Sequence, residues 1–166
     1  MSHRNNVSNT DNIIDSRDLI TMHEELKAER DELVAAVSNA EEGLKEHCKN
    51  TEGEFFIVFR LTEELEQKVE DAKVELETWE SDNDWTALDE FVTEAEGYAN
   101  GDWHHGTTLI ADDYFETYAR EYAEDIGAID KKAKWPNTRI DWEAAAEDLK
   151  ADYSCVTWDG NDYWIR

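Results

Sequence analysis

Apolar and seam positions along the first half of the chain recur alternately four and three residues apart. Leu19, His23, Leu26, Arg30, Leu33, Val37, Ala40, Leu44 and His47 fall on one line, the pattern of a helix that covers a narrow stripe. Asp15 or Ser16 is available as its N-cap. Glu24, Glu25, Glu29, Asp31, Glu32, Glu41 and Glu42 lie off the line, as on the solvated faces of a coiled-coil helix. Residues 1–14 are polar and are predicted to form a disordered tail. The run FFIVF at 55–59 read alone is a buried strand. Thr51 and Glu54 argue otherwise, because together they make a capping box. Phe55, Val58, Thr62, Leu65, Val69, Ala72, Leu76 and Trp79 then keep the four-three spacing. A long helical hairpin over 15–80 follows, with Phe55, Phe56 and Phe59 near its tip, packed in the hairpin, in a dimer, or against a partner.

The polar break SDND at 81–84 is the predicted domain boundary. Beyond it, Trp85, Leu88, Phe91 or Val92 and Ala95 share one face of a short helix, with Gly97 near its end. GYANGDWHHG reads as a turn-rich loop, and TTLIA at 107–111 has strand composition. Asp112 or Asp113 is placed to cap a helix through Ile126 that Gly127 stops. Asp141 is placed to cap another from Trp142 to about Ala151. YSCVTW, the turn Asp159-Gly160 and NDYWIR form a β-hairpin. The expected fold is α+β and mostly α: a coiled-coil-like helical hairpin at 15–80, then a small acidic α+β domain at 85–166 ending in a β-hairpin.

Charge changes the picture. The chain has 42 acids against 16 bases, a formal net charge of −26, far beyond the roughly 2–8 that keeps a small domain soluble. The excess pervades both halves, −11 over 1–78 and −15 over 79–166. Seven Trp, six Tyr and five Phe supply enough apolar bulk to offset ordering entropy, so the charge does not imply disorder. Such a surface repels nucleic acid and anionic membranes, which excludes direct binding to either and points to a basic protein partner. No apolar run approaches the ~18–20 residues that span a bilayer, and MSHRNNVSNT has no signal-peptide core; the expected compartment is the cytoplasm. Cys48 and Cys155 are too far apart for a metal or redox motif and are expected to be free thiols.

Candidate chemistry is sparse. His104-His105 beside Trp103 are adjacent loop histidines without further ligands at metal spacing, and His47-Cys48 fails similarly. Carboxylate pairs such as Asp112-Asp113 and Glu147-Asp148 are inevitable by chance among 42 acids. There is no glycine-rich phosphate loop, no GxSxG and no EF-hand loop. The sequence points to a non-enzyme that needs no cofactor and no metal.

One arrangement remains. Over 113–126, Tyr114, Phe115, Tyr118, Ala119, Tyr122 and Ile126 form an apolar stripe, while Glu116, Glu121, Glu124 and Asp125 fall elsewhere. Over 141–152, Trp142, Ala145, Ala146 and Leu149 point one way, and Asp141, Glu143, Glu147, Asp148 and Asp152 the other. With Asp112 and Asp113, these carboxylates are the candidate partner-binding residues. Large rings bury much area per residue, so few of them can hold a domain whose other positions carry charge. Duplex DNA bears one negative charge per ~1.7 Å of axis, a density that carboxylates on neighbouring helices can approach.

The stretches YFETYAREYAEDIGAI and IDWEAAAEDLKADYSCVTWDGNDYWIR resemble the C-terminal part of ArdA-type antirestriction proteins. The resemblance covers some 55 residues: an acidic helix ending in Gly-Ala-apolar, an Ile-Asp-aromatic helix start, an Asp-Leu before a terminal hairpin, and a last aromatic strand. It is similar also to a group of phage-encoded acidic proteins carrying this segment behind a variable helical region. The resemblance implies a dimeric mimic of bent duplex DNA that blocks a type I restriction complex or similar nuclease in the host cytoplasm. It transfers no catalytic residue, and the heptad-patterned first half departs from the family. A coiled-coil adaptor whose acids only keep it soluble, or an acidic chaperone of a basic nucleic-acid-binding protein, are the alternatives.

Overall fold

The computed structural model describes residues 7–50, 55–99, 101–130, 132 and 134–166, with the backbone alone for 50 and 55–59. The chain is mostly helical and carries one four-stranded antiparallel sheet. It divides into two compact units: the described residues up to His23 together with Ala87–Arg166, and Glu24–Thr86.

The second unit holds most of α1 (Ser16–Asn50) and α2 (Phe55–Asp82), a pair that fits a helical hairpin. Every seam position named above from Leu26 to His47 on α1, and from Thr62 to Trp79 on α2, is partly or fully buried. Leu26 and Val69 are the most deeply covered. Charged pairs set an antiparallel register: Arg30 Nε donates to Glu80 at 2.6 Å, and Lys73 Nζ lies 2.9 Å from Glu41. Near the base, the Arg30 guanidinium sits over the Trp85 ring at 5.5 Å, and Trp79 packs beside Trp85 at 6.1 Å. The backbone from Phe55 is helical, so the four-three spacing prevails over the strand-like composition of FFIVF. The capping box and the side chains of the phenylalanine cluster lie outside the described residues.

In the first unit the sheet order is β1 (Ile13–Asp15), β2 (Thr108–Ala111), β4 (Asn161–Ile165), β3 (Ser154–Trp158). Residues 1–6 of the expected tail lie outside the described residues; over 7–14 the expectation is corrected. Ile14 pairs with Leu109 and is buried, Ala111 N–H donates to Asn12, and Tyr163 O–H donates to the Asp11 carbonyl at 2.9 Å. Residues 11–15 are thereby part of the domain expected over 85–166. Pairing with a strand some 95 residues later in sequence is what overrides its local polarity.

Register assigns each face of the sheet. Leu109, Ala111, Val156, Trp158, Tyr163 and Ile165 share one face. There Phe91 of α3 (Trp85–Tyr98) stacks on Trp158 at 5.0 Å and meets Tyr163 edge-on at 5.6 Å. Ile110 and Trp164 lie on the other face, under α5 (Phe115–Asp125) and α6 (Trp142–Lys150). Layers on both sides explain why β2 reads as an unbroken apolar run rather than an alternating one. Between α3 and β2, α4 (Trp103–Gly106) stands where a loop was expected, with Trp103 buried. Ser16 ties it down: its hydroxyl donates to the Trp103 carbonyl at 2.6 Å and accepts from Thr107 N–H at 2.8 Å. The Asp159-Gly160 turn takes positive φ at both residues, 46° and 81°, the geometry of a two-residue hairpin turn.

Candidate partner-binding face

The two acid-bearing helices are positioned by their undersides. Phe115 is fully buried and meets Trp164 and Tyr153 edge-on at 6.0 and 5.2 Å. Ala119 and Ala146 let α5 and α6 approach over Ile110. Tyr118 and Tyr153 share a hydroxyl hydrogen bond of 3.0 Å, and burial raises the Tyr118 phenol above its ordinary range. Each fully buried aromatic contributes roughly 1.5–3 kcal/mol from area alone. The apolar stripe is shorter than periodicity predicted, since Tyr122 and Ile126 are 37% and 61% exposed.

Helix termini are set locally at two places. Asp141 accepts from Ala144 N–H at 3.1 Å as N-cap of α6. At the end of α5, Ala128 N–H reaches the Ala123 carbonyl and Gly127 N–H the Glu124 carbonyl, with Gly127 at φ 72°. This Schellman closure needs a residue that tolerates the left-handed region. Neither Asp112 nor Asp113 caps α5, which corrects the expectation; both sit in a single 3-10 turn, Asp112–Tyr114, that leads into it. Asp112 is engaged elsewhere.

Its carboxylate accepts from Lys150 Nζ at 2.6 Å and from Trp164 Nε1 at 2.7 Å. These two bonds, Lys150's first, hold the acid below the usual carboxylate range despite some burial. Lys150 also reaches Glu147 at 2.9 Å and stands over the rings of Trp164 and Phe115 at 5.0 and 5.5 Å. Its side chain is only 12% exposed. Burial works against the ammonium, but the two carboxylates more than offset it and raise its pKa. This cation clamps α6, β4 and the 3-10 turn together, a role no spacing rule marks out.

The eleven candidate carboxylates therefore divide. Asp112, Glu121, Glu124, Asp141 and Glu147 have internal work: Glu121 accepts from Tyr114 O–H at 3.0 Å, and Glu124 lies 3.9 Å from Arg120. Asp113, Glu116, Asp125, Glu143, Asp148 and Asp152 are exposed and make no ion pair among the described residues. They are the set presented to solvent. Asp113 also lines, with Asn9, Asn161 and Asp162, an open cleft of about 340 Å³.

No group of three His, Cys, Asp or Glu among the described residues is arranged to hold a metal ion. His104 lies 3.9 Å from Glu96, with both largely exposed. Cys48 and Cys155 are free and exposed. Among the described residues no helix is long and apolar enough to cross a membrane. Comparisons of the chain with family models, curated proteins and solved structures find no match.

Proposed function

We propose that this chain is a DNA-mimic inhibitor that occupies the DNA-binding groove of a defence enzyme, a type I restriction complex or similar nuclease, in the host cytoplasm. The observation that supports the reading best is the segregation on α5 and α6, aromatic beneath and carboxylate outside. At 1.5 Å per residue, α5 is ~16 Å long and α6 ~13 Å, and each bears three exposed acids, Glu116, Glu121 and Asp125 on α5 and Glu143, Glu147 and Asp148 on α6, while Glu124 is mostly buried. That is roughly one carboxylate per 4–5 Å of axis on either helix. The two helices together approach one per ~2.4 Å, within a factor of two of the ~1.7 Å of a duplex. A scaffold pinned by rings holds these charges in place before the partner arrives, which limits the ordering cost of binding.

The test uses the six exposed carboxylates that make no ion pair among the described residues. Replacing Asp113, Glu116, Asp125, Glu143, Asp148 and Asp152 by Asn or Gln leaves the clamp and cap intact. The variant is expected to keep its circular dichroism spectrum and lose inhibition of a type I restriction enzyme in a DNA-cleavage assay. Wild-type inhibition is expected to fall steeply between 50 and 300 mM NaCl. Undiminished inhibition by the variant sinks charge mimicry.

A second reading, a coiled-coil-like adaptor, draws on the hairpin. Leu61 and Val74 are 42% and 51% exposed there, off the seam. A partner held through those residues stays bound at high salt.

A further inference from the structure

Where the end of α4, the start of β2, α5 and the residue after β4 come together, the sheet-bearing unit holds a cavity of about 530 Å³. That is the size of sites that seat small molecules. Ile110, Tyr118 and Tyr153 line it, together with the exposed side chains of Asp102, His105 and Arg166. In a chain with 42 acids, the Arg166 guanidinium makes no ion pair among the described residues. It lies within electrostatic reach of the cavity wall: burial and the Tyr153 hydroxyl push the Tyr118 phenol up, while the charge of Arg166 draws it down.

Hydrogen-bond accounting identifies the missing chemistry. Tyr118 and Tyr153 share one bond at 3.0 Å. One hydroxyl donates it, and the accepting hydroxyl keeps a hydrogen for which the described residues offer no acceptor. Thr107, which also lines the cavity, is 7% exposed, and its Oγ1 is buried without a partner among the described residues. A group left so costs roughly 1–3 kcal/mol. The Thr107 N–H and carbonyl are both spent on Ser16, so the hydroxyl is what remains to be satisfied. Unspent donors and an unpaired guanidinium call for an acceptor that carries negative charge, and a guanidinium fork meets a carboxylate through two parallel bonds. Asp102 lines the same cavity and makes no ion pair among the described residues, so a second negative charge on the ligand is repelled and a dianion fits worse than a monoanion. We infer that this cavity binds a small organic monocarboxylate, with Arg166 pairing the carboxylate, Thr107 and the tyrosine pair donating to its oxygens, and Ile110 and the two rings covering its apolar body. The site shares no residue with the six carboxylates of the nuclease test and does not rest on DNA mimicry.

Titration of the full, nitrogen-15-labelled chain with acetate, benzoate and indole-3-acetate at pH 7, followed by amide chemical shifts, tests it. Saturable shifts are expected at Thr107, Thr108 and Ile110, with a dissociation constant on the order of 1 mM for the aromatic acids. Benzamide, the neutral counterpart of benzoate, and sulfate, a dianion, are expected to bind at least about tenfold more weakly. Arg166→Gln should weaken benzoate at least about tenfold, and Thr107→Val at least about threefold, as the loss of a charged and of a neutral hydrogen bond requires. Neither change threatens the fold, since Arg166 is exposed and valine replaces an unpartnered hydroxyl by a methyl group. The urea midpoint of Thr107→Val should hold or rise, and circular dichroism checks both variants. No saturable shift at the cavity with any of the three acids overturns the proposal. So does undiminished benzoate binding in either variant, or sulfate or benzamide bound as tightly as benzoate.

Discussion

Removing either end of the Lys150–Asp112 pair should have very different consequences. Asp112→Ala leaves an ammonium 12% exposed with one remaining carboxylate, Glu147, which is 68% exposed, and it strips Trp164 Nε1 of its acceptor. A hydrogen bond to a charged group is worth about 1.5–3 kcal/mol; Asp112 is half exposed, so the lower end applies. With the indole bond added, the expected loss is about 2 kcal/mol, or a fall of ~4–8 °C in Tm for a chain of this size. Lys150→Met keeps the aliphatic stem over Phe115 and Trp164 and leaves two carboxylates that water can solvate, so its cost is at most about 1 kcal/mol. Urea unfolding followed by tryptophan fluorescence at pH 7 measures both. The pH dependence has a fixed sign. Asp112 is depressed in the folded state, so its contribution is present above the unfolded carboxylate pKa of about 3.9 and vanishes as pH falls through the folded value. The gap between wild type and Asp112→Ala should hold from pH 6 to 9 and narrow progressively as pH falls below the unfolded carboxylate value of about 3.9. If Lys150→Met proves as damaging as Asp112→Ala, the ring contacts of the ammonium dominate and the charge argument is wrong.

Phe91→Ala deletes a ring 1% exposed between Trp158 and Tyr163 and is expected to cost about 3–5 kcal/mol, read as loss of the cooperative urea transition of the sheet-bearing unit. Burial pushes the Tyr163 phenol up to about 12, so its protonated form favours the fold and stability should decline between pH 10 and 12. Tyr163→Phe should lessen that alkaline loss while forfeiting about 1 kcal/mol at pH 7 with the bond to Asp11, as stability curves at several pH values will record.

Much of this architecture was legible in the residues because short-range rules governed it. The Leu26-to-His47 and Thr62-to-Trp79 seams follow from helical period, the Asp141 cap and Gly127 stop from backbone chemistry, and the Asp159-Gly160 turn from the demand for positive φ. Features fixed by distant partners escaped. Ile13–Asp15 is too short to announce a strand and acquires one only by pairing with Thr108–Ile110. Asp112 has the composition of a cap, yet Lys150 and Trp164, 38 and 52 residues away in sequence, claim its carboxylate first. The periodicity that sorted acids outward had no means of telling which of them a tertiary neighbour occupies, nor that Tyr122 and Ile126 on the apolar stripe would be left exposed.

Strand order also dictates a timetable on the ribosome. Residues 24–86 are contiguous and can assemble as soon as they emerge, but β1 must wait for β2, some 95 residues behind it, and β2 in turn for β4 near residue 165. At about 5–20 residues per second, the first strand spends ~5–20 s without its neighbour. Its brevity and the polar, charged stretch around it keep a solitary edge from recruiting the wrong one during that interval.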